Sequence, residues 1–211
     1  MKSQFCVRSD GDFSAAELDL GLMASVAGRA PLGLALHRQL LSLAPQGRIQ
    51  DMRASWEGPL EQPTRYKVTA RLEGLRLEPG LEPAPSRDGH ASGRPGVRGA
   101  TIQLEATESG GRADVMIQRG QLVFPGLFEQ AEWGVEELQA RLGWQQVKDG
   151  LELRLSPLTL RTADLEAELQ GSWRGSWQDL AKGHGALDLT ARVPKARADQ
   201  LHAQVGQAVD V

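Results

Sequence analysis

Four histidines, His37, His90, His184 and His202, are the side chains of this 211-residue chain best suited to hold a metal or move a proton near neutral pH. A metal site built on a helix needs ligands a turn apart, as in HExxH. These four are scattered, none has a partner at such a spacing, and they read as solvated or structural. Cys6 is the only cysteine, which excludes an intramolecular disulfide and any CxxC metal site. "GHGALD" lacks the third glycine of a dinucleotide fingerprint and precedes a strand-like stretch rather than a helix. "SRDGHASGRPG" lacks the GK[ST] of a phosphate loop, and no GxSxG elbow occurs. Glu152, Asp164, Glu166 and Glu168 would serve as the acid and base of a carbohydrate-active enzyme only in a cleft. They alternate with leucines, which puts them on the polar face of a sheet. The expectation is no enzyme, no cofactor and no metal.

The elements that carry those carboxylates are better defined than any site. In "LELRLSPLTLRTADLEAELQGSW", residues 151–173, leucines recur at every second position, with a restart after Pro157 and another at Leu165. Period two over such a length is strand chemistry, one face apolar and the other charged. The restarts predict two successive strands broken near Pro157 and at "RTAD". Trp56, Trp144 and Trp173 each fall at the end of such an alternation, which favours a core or sheet-rim role over sugar stacking.

The same alternation runs through most of the chain. "RIQDMRASWEG" places Met52, Ala54 and Trp56 on one face. "TRYKVTARLEGLRLEP" does so with Tyr66, Val68, Ala70 and Leu72, and after Gly74 the phase passes to Leu75 and Leu77, which predicts a bulge or bend. "ATIQLEAT" and "RADVMIQRGQLVFP" flank a hairpin turn at "ESGG". "VEELQARLGWQQV" reads as a strand with "KDG" as its turn, and "ALDLTARV" as the last strand. "PLGLALHRQLLSLAPQG" reads as a helix opened by Pro31 and stopped by Pro45 and Gly47. A C-terminal helix is expected from Pro194, and short helical turns in "PGLFEQA" and around Trp177. Residues 1–13 read as a lead-in, about 79–99 as a long flexible loop, 206–211 as a tail. The total is eight to ten strands, antiparallel with their sequence neighbours.

Composition bounds the partners. Hydrophobic residues make up 40% and charged residues 24%, as in a folded protein with a core. A net charge of −3 gives no electrostatic reason to expect nucleic acid or an anionic membrane surface. The first residues are not a signal peptide, and no stretch reaches the length of a transmembrane segment.

A sheet with one apolar side needs a second layer. Two sheets can stack, one can close into a barrel, or one can curl into a gutter. A helix about 10 Å wide covers roughly two strands, so the two expected helices leave apolar surface uncovered. Lipid acyl chains would suit such a surface, and they require no polar motif.

The order of elements is similar to a known family. A Leu-rich helix ends in "LLSLAPQGRIQDMRASWEG". "RYKVTARLEGLRLEP", "PGVRGATIQLEATESGGRADVMIQRGQLVFPGLFEQ", "VEELQARLGWQQVKDGLELRLSPLTLRTADLEAELQGSW" and "GALDLTARVPKARADQLH" follow. This series resembles the central region of YhdP-type proteins of the AsmA-like family over about residues 14–205, with its LAPxGxI, FPxLF and LxTxDxx steps in order. The resemblance implies a mainly β fold with a few helices, a curved antiparallel β-sheet forming an apolar groove. It implies a periplasmic protein, anchored in the inner membrane of Gram-negative bacteria in its full length and implicated in phospholipid transport to the outer membrane and in its barrier. The chain carries no anchor and is short, so it is expected to be a segment whose partners are phospholipid acyl chains and adjoining segments of a longer chain. The groove candidates are Val68, Ala70, Leu72, Ile102, Leu104, Val115, Ile117, Leu138, Leu142, Leu153, Leu155, Leu165, Leu169, Leu187 and Leu189. The alternative is a β-sandwich serving as a structural or protein-interaction module of the cell envelope.

Overall fold

The computed structural model describes residues 10–27, 43–59, 63–80, 94–126, 131–148, 150–176 and 185–196. These hold nine strands and one helix: β1 (Gly11–Asp19), α1 (Leu20–Ala27), β2 (Gln46–Glu57), β3 (Arg65–Leu77), β4 (Gly96–Thr107), β5 (Gly110–Val123), β6 (Glu132–Val147), β7 (Gly150–Arg161), β8 (Leu165–Gly175) and β9 (Ala186–Ala196). All nine belong to one antiparallel sheet in sequence order, with β1 and β9 at its two edges. Each strand therefore pairs with the strands before and after it, the arrangement that short connections favour. Among the described residues the sheet does not close into a barrel, and with every described strand in one sheet the sandwich alternative is overturned.

Local chemistry sets the turns. Between β4 and β5 the hydroxyl of Thr107 donates to the Gly110 carbonyl at 2.9 Å, closing the turn at Glu108 and Ser109. Between β7 and β8, the N–H groups of Asp164 and Leu165 donate to Thr162 Oγ1 at 3.3 and 3.0 Å, so the "RTAD" turn is where expected. Asp19 caps α1 by accepting from the Leu22 N–H at 2.7 Å.

Bulges bend the sheet and keep its faces sorted. Gly74, at φ 62°, is an extra residue in β3 relative to both β2 and β4, so Leu72 and Leu75 share a face although three residues apart. A second bulge at Pro157 does the same for Leu155 and Leu158. Pro157 thus lies inside one continuous strand rather than at a break, because a bulge tolerates the missing N–H. β1 starts at Gly11, inside the expected lead-in, and β4 at Gly96, inside the expected loop. Pro194–Ala196 end β9 instead of opening a helix. The expected helix before Pro45, the turns after Gly126 and around Trp177, and the residues beyond Ala196 lie largely outside the described residues, as do all four histidines and Cys6.

The core sits on one face at mid-sheet. Leu75, Ala100, Ile117, Val135 and Leu138 form its buried centre, with Leu20, Leu72, Ile102, Val115 and Leu160 packed around it. Ile117 is 1% exposed.

Candidate functional site

Residues opposite each other in a ladder share a face, so the register sorts the sheet without ambiguity. One row runs Val68, Ala106, Gly111, Trp144, Leu153, Trp173, Leu187. The next runs Ala70, Leu104, Ala113, Leu142, Leu155, Gly171, Leu189. A third holds Leu72, Ile102, Val115 and Ala140, and a fourth Leu75, Ala100, Ile117, Leu138, Leu160 and Ala167. Leu169 opposes Leu158, and Leu165 opposes Ala196. All fifteen candidate residues therefore lie on one face, and no position in these rows is charged.

Exposure grades across that face. Ile117 and Leu138 are buried, most of the other candidates are half-buried, and Leu187 and Leu189 on the edge strand β9 are 67% and 50% exposed. Leu75, Ala100, Val135 and Ala140 belong to the same face but are not among the groove candidates. Leu75 follows the phase shift that the sequence shows at Gly74, whereas the alternation signal is weakest for the alanines, and Val135 stands three residues from Leu138, out of period.

The opposite face is ionic. Lys67 and Arg112, on β3 and β5, both pair with Glu105 on β4, at 3.4 and 3.0 Å. Arg141 meets Asp114 at 2.6 Å, and Arg161 meets Glu137 at 2.8 Å. Glu152 is the one buried charged residue among those described, and it lies under the guanidinium groups of Arg154 and Arg174. The hydrogen bond from Arg174 is the main cause that holds its carboxyl below the usual carboxylate range; burial opposes it and Arg154 adds to it. Glu108, in the β4–β5 turn, is lowered chiefly by hydrogen bonds from backbone N–H groups, its own and that of Tyr66. Both shifts keep a carboxylate ionised and paired, which suits a structural anion and not a general acid. Among the described residues no cluster of histidine, cysteine or carboxylate side chains could hold a metal, and no helix is long and apolar enough to cross a membrane.

The Trp residues show an order that sequence reasoning missed. A Cβ added at Gly11 would collide with the ring of Trp56, at Gly111 with the ring of Trp144, and at Gly185 with the ring of Trp173. Each indole thus lies across a glycine on or beside the next strand. All three sit at the same end of the sheet.

An open antiparallel sheet with one ion-paired side and one side whose central rows carry no charge defines the class: a β protein organised around an apolar surface, which fits a curved groove. Residues 2–203 match the family model described as YhdP protein, and the chain belongs to that family. No curated protein and no solved structure matches it.

Proposed function

We propose that this chain is a non-enzymatic segment of a periplasmic, lipid-conducting β-groove, with phospholipid acyl chains lying against its apolar face. The observation that carries this reading is the two uncharged rows that cross the sheet from β3 to β9, with two shorter ones beside them and an ion-paired face behind. Acyl chains need only apolar area, at about 0.8 kcal/mol for each methylene removed from water. A row that stays apolar from strand to strand lets a chain slide without meeting a step in polarity. Family membership supports the same reading, in which a longer protein is anchored in the inner membrane and hands phospholipid toward the outer membrane. The rival, an envelope interaction module, has lost the sandwich geometry on which it rested.

The test is direct. The chain, purified from cells with photo-crosslinking residues at Leu142 and Leu155, is expected to carry phospholipid detectable by mass spectrometry and to crosslink to it. A preparation with neither lipid nor crosslink would remove the groove reading.

A further inference from the structure

The apolar face changes character along the strands. Its middle rows are aliphatic. At the end where β2, β6 and β8 finish, it turns aromatic: Trp144 and Trp173 flank Leu153 in one row, and Trp56 opposes Tyr66 one step further out. All four rings are half-buried. Just beyond them lie charged turn and strand-end residues: Glu57 paired with Arg65, Glu108, and Lys148. An indole offers a wide apolar ring and one N–H donor, which is why it settles where hydrocarbon meets water.

Each tryptophan is also held in place. Gly11, Gly111 and Gly185 leave room for a ring to lie down across the neighbouring strand, so a side chain there would lift it. Packing alone accounts for one such pair. Three recur at the same end of an apolar sheet, on β2, β6 and β8, with Trp144 and Trp173 in one row and Trp56 one step further out. At the other end, Trp133 packs edge-to-face on Phe124 at 5.8 Å.

We infer that Trp56, Tyr66, Trp144 and Trp173 form the rim at which a bound phospholipid's ester and headgroup region rests, with its acyl chains directed inward along the strands. The inference rests on the lipid-groove reading and adds an orientation to it. The dimensions agree. From Trp144 to Leu138 on β6 the strand advances about 20 Å at ~3.3 Å per residue. One leaflet's hydrocarbon depth is about 15 Å. A chain starting at the indole row therefore ends at about half-buried Ala140, one row short of the buried centre of the face.

The test reads depth. Variants of the full chain that keep only Trp144 or only Trp173, the other tryptophans being phenylalanine, are loaded with phosphatidylcholine. The lipid carries a nitroxide on the headgroup, at carbon 5 or at carbon 16 of an acyl chain, and bound lipid is counted by mass spectrometry. The expected result is quenching at least about twofold stronger by the headgroup and carbon-5 labels than by carbon 16, as for interfacial indoles. Equal quenching, or strongest quenching by carbon 16, with lipid present, overturns the rim and leaves the groove standing. No lipid and no quenching overturns both. Should the single-tryptophan chains not fold, the difference between the parent and Trp144→Phe or Trp173→Phe supplies the same contrast.

Discussion

Arg174 on β8 lies directly opposite Glu152 on β7, and its Nη2 donates to Glu152 Oε1 at 2.9 Å. Arg154 reaches the same oxygen at 3.2 Å along β7. Two guanidinium groups thus cover one carboxylate on the polar face of the sheet, and they lower its proton affinity relative to the unfolded chain.

A group with a depressed folded pKa binds its proton more readily when unfolded, so its stabilising contribution is present above the ordinary carboxylate value of about 4.3 and fades as pH falls through the lowered value. Glu152→Gln is expected to lower the melting temperature at pH 7 and to converge with the parent as pH drops below about 4. Thermal unfolding followed by circular dichroism from pH 7 to pH 3 checks this. A gap that stays constant with pH would mean that Glu152 acts through packing instead of charge.

Burial sets the second expectation. Ile117 and Leu151 are each 1% exposed, whereas Leu187 on the edge strand shares the apolar side at 67%. Ile117→Ala should cost about 2–5 kcal/mol, and Leu187→Ala should stay within about 0.5 kcal/mol. Urea midpoints of the two variants measure the difference. Equal losses would show that β9 is covered in solution.

The glycine beneath Trp56 permits a coupling measurement. The three nearest atoms to a Cβ at Gly11 all belong to the Trp56 ring. Gly11→Ala should destabilise by about 1–3 kcal/mol in the parent. In a Trp56→Ala background the same change should cost less, with a coupling energy of about 0.5–3 kcal/mol from the double-mutant cycle. Additive losses would mean that the ring moves aside freely.

Much of this architecture was legible because period-two alternation depends only on which residues are apolar, and that survives in β3 to β8 almost residue by residue. Gly74 was readable as a phase shift because leucines flank it on both sides. Pro157 reads as a strand end in sequence but lies at a bulge inside β7, since a missing N–H looks the same whether a strand stops or bulges. A sheet-rim place for Trp56, Trp144 and Trp173 is legible at the ends of their alternations, but the glycines beneath their rings are not. Gly111 and Trp144 are far apart in sequence and meet only through register, which no local pattern encodes. The same holds for Glu105, whose partners Lys67 and Arg112 come from two other strands.

Adjacent residues on opposite faces offer the last test. Leu155 lies in the second apolar row, and Ser156 opposes Arg141 on the ionic face. Arginine at either place adds the same charge one residue apart. In an acyl-chain environment a buried arginine costs about 2.5–3.5 kcal/mol, so Leu155→Arg should reduce co-purifying phospholipid at least about tenfold. Ser156→Arg, on the charged side, should leave the lipid content as in the parent, with both variants first confirmed as folded by circular dichroism. Equal loss in both would mean that lipid is held by overall charge and not by a face. Loss from Ser156→Arg alone would place it on the polar side, and the apolar rows would then be an ordinary core.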